Sequence, residues 1–355
     1  MMSPTTPTPP PSTMTAVVTT GHGGPEVLEI RRDVLRPDPG PDELLVEVTA
    51  AGLNNTDVWS REGSYATELS SAVGWRGVPL SFPRIQGGDL VGRVVAVGTD
   101  VDDARVGERV LIDPATYPDA RDDTLPCGLL GSEHDGAFAQ YATVSASAAH
   151  EVGSSPLTDA ELAALPIAYG TAWGMLDRAE LAAGDRIVVT GASGGVGLAA
   201  VQLGRARDVE VVAVTRRTMA ARVRAAGAHR TVERDTVPAA ELADAVGELD
   251  AIIDVVAGPQ LEQLLPALAE GGRAVISGAM AGAAIRLDVR ELYLHQQRLI
   301  GSTMHTRRQF RDLVGLANAG RIRPPVEGFK GLGAFVDAQR AFLARDHVGK
   351  VVVMP

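Results

Sequence analysis

Gly184 to Gly197 reads GDRIVVTGASGGVG, and Leu198 to Ala206 continues as LAAVQLGRA. Ile187, Val188 and Val189 form a β-branched run suited to a strand; the glycines interrupt it, and the apolar residues after Leu198 recur at helical spacing. Strand, turn and helix are expected in that order. Gly191 admits a tight turn, Gly194 lets the backbone approach a pyrophosphate with no Cβ in between, and Gly197 lets the helix lie close on the strand. The unbonded N–H groups of the helix's first turn then face the phosphates, with the positive end of the helix dipole behind them. A glycine triplet alone is a weak signal. Here a second strand, Val209 to Val214, completes a βαβ unit, and that context points to a dinucleotide site formed by Ser193, Gly194, Gly195 and Val196.

At the end of the second strand, sites for NAD usually carry an acid that binds the ribose 2′-hydroxyl. This chain has Thr215, Arg216 and Arg217 instead. A carboxylate would repel a 2′-phosphate, whereas a hydroxyl and two guanidinium groups would hold it, so the expected cofactor is NADPH. The alternative is a solvated loop.

The 355 residues are enough for two domains, and 45% of them are hydrophobic. A formal net charge of -11 argues against a nucleic-acid surface, which needs a positive field. No apolar run reaches the roughly 18 residues of a membrane span, and no secretory segment follows the start, so a cytoplasmic protein with a small-molecule substrate is expected. With Cys127 as the single cysteine, neither an internal disulfide nor a cysteine-cluster metal site can form. The 7 histidines are scattered, none three or four residues from another, and are expected to take ordinary surface or core roles.

Residues 1–13, rich in Pro, Thr and Ser, are expected to be a disordered lead. From Met14 short alternating segments separated by Gly and Pro read as strands of a β-rich domain: 15–19, 27–30, 43–49, 90–98, 108–112 and 137–144. Between Arg61 and Gln86 the periodicity is lost, and the length of that stretch suits a functional loop. Thr158 and Glu161 have capping-box spacing and open a helix; a second helix is read from Thr171. Beyond the dinucleotide unit, strands at 250–256, 273–277 and 298–302 alternate with helices, which implies a parallel sheet covered on both faces.

With these residues in view, the chain resembles the medium-chain dehydrogenase/reductase superfamily from Met14 onward, and within it the zinc-independent quinone oxidoreductase and enoyl reductase branch. The matching pieces include Gly23 to Leu28, Ala50 to Asp57, Gly87 to Gly92, Asp135 to Tyr141, Gly194 to Gly197, Gly301 to Met304 and Gly349 to Val352. The resemblance implies an α/β fold: a Rossmann doubly wound parallel sheet at 156–305, inserted into a GroES-like β-rich catalytic domain at 14–155 and 306–355. It also implies a homodimer. Zinc members of the superfamily carry Cys where this chain has Asn54, Gly-His-Glu where it has Gly87, Gly88 and Asp89, and a Cys or acid near Ile167. Asn, Gly and Ile cannot build a catalytic zinc site, so no metal is expected.

Without zinc to hold an alkoxide, reduction of a conjugated C=C bond or a quinone is the better match. The resemblance places Asn54 at the floor of the cleft, where its amide could bond a carbonyl or the nicotinamide ribose. It makes Tyr65 a proton donor or carbonyl-polarising group. Thr171, at a helix start, would contact the nicotinamide end, together with Val256, Ser277, Gly278, Met280, Ser302, Thr303 and Met304 at the C-terminal ends of strands. Asp57 and Asp254 are read as structural, while Tyr169, Trp59 and Trp75 either shape an aromatic pocket or pack the core. Metal-free carbonyl reduction and a non-catalytic NADPH-binding protein remain the alternatives. The segment 61–86, longer than in simple quinone reductases, bears on substrate choice more than on reaction type.

Overall fold

The computed structural model describes residues 11–66 and 75–355. GDRIVVTGASGGVG folds as read: strand Arg186–Val189, a turn, helix Gly195–Arg205, then the parallel strand Glu210–Thr215. Ile187, Val188 and Val189 are fully buried because this strand lies in the middle of its sheet. Their side chains alternate between two cores. Ile187 and Val189 join Leu198 and Val201 of the dinucleotide helix on one face, and Val188 joins Leu261 and Leu264 on the other. Each such side chain contributes about 1.5–3 kcal/mol by leaving water.

The sheet runs Arg230–Glu233, Glu210–Thr215, Arg186–Val189, Leu249–Asp254, Leu268–Ile276, Arg298–Gly301, all parallel. In chain order this is 3-2-1-4-5-6. The winding direction reverses between the first and fourth strands, which opens a crevice beyond their C-terminal ends.

The β-rich domain is built on the strand Glu43–Gly52, which pairs antiparallel with Asp89–Val97, with Tyr141–Ser145 and with Lys350–Met354. Lys350–Met354 also pairs in parallel with Val326–Lys330, so the last strand of the chain completes the first domain's sheet. Its Val351 and Val353 are buried with Leu44, Val46 and Phe335, and Val352 faces the other core.

Several details differ from the sequence reading. Of the expected disordered lead, residues 1–10 lie outside the described residues, and Thr13 already belongs to the strand Thr13–Thr19. Part of the expected loop, residues 67–74, also lies outside them. The helix read from Thr171 begins at Pro166, where a missing N–H costs nothing, so Thr171 is buried in mid-helix rather than at a helix start. Helix Arg307–Asn318 turns Phe310, Leu313 and Ala317 into a core that holds Tyr169 and Met175 together with Ala50, Leu111 and Val352 of the β-rich domain. No helix among the described residues is long and apolar enough to cross a membrane.

Candidate active site

The glycine loop has the geometry its residues imply. Gly191 takes φ 56°, and a Cβ on Gly197 would lie 2.3 Å from the Gly191 carbonyl oxygen, so any side chain there would push the helix off the turn. The first helical hydrogen bond runs from Leu198 N–H to Gly194 C=O, which leaves the N–H groups of Gly195, Val196 and Gly197 for a ligand. Ser193 C=O accepts from Gly349 N–H at 3.0 Å. Val256, Ser277, Gly278, Met280, Ser302, Thr303 and Met304 follow the C-terminal ends of three neighbouring strands. Asp254, fully buried, shapes this rim: its carboxylate accepts from Thr190 Oγ1–H at 2.6 Å and Ala257 N–H at 2.7 Å. Thr171 Oγ1 lies 3.8 Å from Met304 Sδ, which joins the mid-helix position to this rim.

At the end of the second strand Thr215 is buried and its Oγ1 has no partner, an unsatisfied hydroxyl where a ribose phosphate is expected. The two arginines beside it are engaged. Arg216 pairs with Asp346 at 3.2 Å and donates to the Arg345 carbonyl, while Arg217 pairs with Glu233 at 2.9 Å. Both are partly or largely exposed, and such pairs exchange readily with a ligand phosphate. The unpartnered Thr215 hydroxyl and the Gly197 cradle fit a dinucleotide.

The cleft floor is a saturated polar network. Lys350, 3% exposed, donates its three ammonium protons to Leu53 C=O at 2.7 Å, Asn54 Oδ1 at 2.6 Å and Asp89 Oδ2 at 2.8 Å. Asn54 Nδ2–H donates to Asp89 Oδ2 at 2.9 Å and more weakly to Gly52 C=O at 3.4 Å, and Ile167 N–H donates to Asp89 Oδ1 at 2.8 Å. Both ends of the Asn54 amide are thus turned into the protein. The ammonium is the stronger partner of the amide oxygen, so a contact of Asn54 with a substrate carbonyl or ribose would compete with Lys350 and Asp89.

The positions that the resemblance assigns to zinc ligands offer little donor chemistry. Asn54 is committed, Gly88 offers no side chain and a Cβ on it would meet Ile167 Cδ1 at 2.6 Å, and Ile167 has no donor atom. Among the described residues no group of three His, Cys, Asp or Glu could hold a metal.

Asn54 and Asp57 form a reciprocal capping box at the start of helix Asn55–Glu62, with Asn54 N–H donating to Asp57 Oδ2 at 2.8 Å. Burial pushes the Asp57 carboxyl up to about 7, against the lowering effect of that N–H. The same helix presents Thr56, whose Oγ1 accepts from Tyr65 O–H at 3.3 Å, and Trp59, which meets the Tyr65 ring edge-on at 5.5 Å. Burial raises the Tyr65 phenol above its usual value, so it stays protonated at neutral pH.

Tyr65 and Tyr117 pack against a cluster of Trp75, Ala115, Leu129, Ile167 and Met304. Four distant segments therefore meet in one apolar cluster, which includes Met304 of the expected nicotinamide rim. Trp75 belongs to it. Tyr169 does not, since it is buried in the core with its hydroxyl donating to Gln202 Oε1 at 2.8 Å. Sequence reasoning missed Thr56, Tyr117, Asp89 and Lys350 as site residues. Lys350 stood in a quoted motif, but nothing along the chain tied it to Asn54.

The chain matches two family models, an alcohol dehydrogenase GroES-like domain over residues 40–154 and a zinc-binding dehydrogenase over residues 195–319. It is 30% identical to human quinone oxidoreductase over 316 residues, 86% of each chain. It is 27% identical to acryloyl-coenzyme A reductase of Sulfurisphaera tokodaii over 334 residues, 91% of this chain and 95% of that one. Among solved structures, a candidate alcohol dehydrogenase from Sinorhizobium meliloti 1021 superposes with a TM-score of 0.92 at 46% identity, covering 97% of both chains.

Proposed function

The chain belongs to the medium-chain dehydrogenase/reductase superfamily, on its quinone oxidoreductase-like branch, and from that premise we propose that it is an NADPH-dependent, zinc-independent reductase of an α,β-unsaturated carbonyl or a quinone. The observation that carries this reading is the cleft floor, where the positions of metal ligands hold a closed Asn54–Lys350–Asp89 network and the side chain of Ile167.

Ser193, Gly194, Gly195 and Val196 would hold the pyrophosphate, Thr215, Arg216 and Arg217 the 2′-phosphate, and Thr171 with the Val256, Ser277 to Met280 and Ser302 to Met304 rim the nicotinamide end. The bound nicotinamide supplies the hydride. The chain supplies charge stabilisation at the carbonyl oxygen: Tyr65 O–H, kept protonated by its burial, would turn from Thr56 Oγ1 to that oxygen while the Thr56 hydroxyl donates to the phenol oxygen in return. Lys350 and Asp89 hold Asn54, and through its capping box the helix that carries Thr56. Trp75, Ile167 and Met304 keep water from the reacting carbon.

The test is NADPH consumption with cyclohexenone and 1,4-naphthoquinone, followed by product identification and metal analysis of the active protein. A saturated ketone or hydroquinone from metal-free protein is expected. An absence of turnover across such a panel, or activity that tracks bound zinc, refutes the proposal. The similarity to a candidate alcohol dehydrogenase favours a second reading, carbonyl reduction with the Tyr65–Thr56 pair protonating an alkoxide. An allylic alcohol as product would select it.

A homodimer is part of the proposal. Its support is the outer strand Arg298–Gly301, paired on one side only in the sheet, beside the exposed Val289, Tyr293 and Leu294. Light scattering that returned the 37.0 kDa mass of one chain would remove it.

A further inference from the structure

Tyr117 stands between an apolar cluster and a cavity. On one side its ring packs against the cleft cluster of Trp75, Ile167 and Met304. On the other it lines, with Asp113, Leu130 and His150, a cavity of about 680 Å³ that contains none of the residues placed around the cofactor. The two-stranded hairpin Ala115–Thr116/Gly128–Leu129 carries the partition, with Leu129 facing the cleft cluster and Leu130 the cavity.

The ring is held at its hydroxyl and on one face. Its hydroxyl donates to Asp113 Oδ2 at 2.9 Å, and Asp113 Oδ1 is held by His305 Nε2 at 2.9 Å and by Ala115 N–H at 3.0 Å. His305 and Asp113 are buried, and a Cβ on Gly170 would strike the His305 ring, so that glycine exists in a form that admits the imidazole beside Thr171. The guanidinium of Arg307 covers the ring at 4.2 Å from its centroid while donating to the carbonyls of Asp119 and Arg121. A buried His305–Asp113 contact, a hydrogen bond from the phenol and a stacked guanidinium are more than packing requires for one partly exposed aromatic residue.

We infer that Tyr117 is the specificity-determining wall of the substrate cleft, and that Asp113 and His305 are positioning residues that hold it closed against the neighbouring cavity. The inference rests on the reading of the cleft as a site for a conjugated carbonyl or quinone. It limits that class to compact planar molecules, because a substituent projecting past the reacting bond meets the Tyr117 ring rather than the cavity behind it.

The experiment compares the wild-type chain with Tyr117→Ala, Tyr117→Phe and Asp113→Asn, using cyclohexenone as the compact substrate and 1,3-diphenylpropenone as the extended one. Tyr117→Ala joins cleft and cavity, so its kcat/KM ratio for the extended over the compact substrate should rise at least about tenfold. Tyr117→Phe and Asp113→Asn keep a ring but loosen it, and should raise KM for cyclohexenone about threefold or more with kcat and NADPH affinity little changed. A ratio unchanged in Tyr117→Ala, or an equal loss for both substrates, overturns the inference. Calorimetric titration of 1,3-diphenylpropenone with NADP present supplies a readout that needs no turnover. If the wild type turns nothing over but Tyr117→Ala binds this probe about tenfold more tightly, the proposed reaction fails and the wall stands. If turnover is present and neither ratio nor binding shifts, the wall fails and the reaction stands.

Discussion

Replacing Lys350 with methionine isolates the charge at the centre of the cleft floor. Methionine keeps the length of the apolar stem, with sulfur in place of the Cδ that lies 2.9 Å from where a Cβ on Gly195 would be, and lacks the Nζ. Three acceptors lose their donor at once: Leu53 C=O, Asn54 Oδ1 and Asp89 Oδ2, at 2.7, 2.6 and 2.8 Å. Asp89, 0% exposed, keeps only Ile167 N–H and the Asn54 amide. Removing one member of a buried ion pair costs about 3–5 kcal/mol, because a desolvated charge is left without compensation. At about 2 °C per kcal/mol for a large domain, this corresponds to a midpoint about 6–10 °C lower.

Asp89→Asn added to Lys350→Met removes the orphaned charge while an amide oxygen still accepts from Ile167 N–H. The double variant should therefore recover part of the loss, with a coupling of about 2 kcal/mol. Urea unfolding followed by tryptophan fluorescence, with refolding checked, measures all four corners of the cycle. A loss below about 1 kcal/mol in Lys350→Met, or additive losses in the double variant, would show that the network contributes nothing beyond packing.

Three further outcomes are expected. Arg216→Ala with Arg217→Ala should weaken NADPH at least about tenfold and NADH less than about threefold, since charge-assisted bonds to a phosphate are worth about 1.5–3 kcal/mol; equal weakening in fluorescence titrations would remove these arginines from the 2′-phosphate site. Tyr65→Phe should lower kcat about a hundredfold while leaving NADPH affinity unchanged, and unaltered steady-state kinetics would exclude it from the chemistry. Asp57, pushed up to about 7 from 3.8 by burial, binds its proton more tightly in the folded chain. Its contribution to stability is complete below about pH 4 and is lost as the pH rises through about 7, so Asp57→Asn should flatten that decline relative to wild type. Parallel urea midpoints with equal slopes for the two proteins would contradict the buried environment assigned to Asp57.

The Rossmann half was legible because its signals are local. Ile187 to Val189, the glycines and the helix after them each announce an element within a dozen residues, and period-two burial did the rest. Helix Asn55–Glu62 was not legible from periodicity, since NTDVWSRE has no apolar stripe. Its signals are the Asn54–Asp57 capping box and Gly63 in the left-handed region with φ 71°, both readable once end signals are weighed above hydrophobicity. The charges of Arg216 and Arg217 were visible in the sequence. Their acidic partners were not, because Asp346 lies at the far end of the chain and Glu233 on the next strand of the sheet. Trp75, Tyr117, Ile167 and Met304 come from separate segments with no shared pattern, so only the tertiary fold assembles the cleft.

The last strand ties the β-rich sheet to the glycine loop. Lys350–Met354 closes the β-rich sheet beside Glu43–Gly52, and the residue before it, Gly349, donates to Ser193 in the dinucleotide loop at 3.0 Å. One residue further on, the Lys350 ammonium holds Asn54 and Asp89. Consecutive residues thus touch the cofactor loop and the cleft floor, and no hinge lies between those two contacts. A shift of the glycine loop must break the Gly349–Ser193 hydrogen bond or pull on Lys350 and its saturated set of bonds. Because a buried ammonium does not give up three acceptors cheaply, these two consecutive residues tie the glycine loop to the segment that opens the helix carrying Thr56.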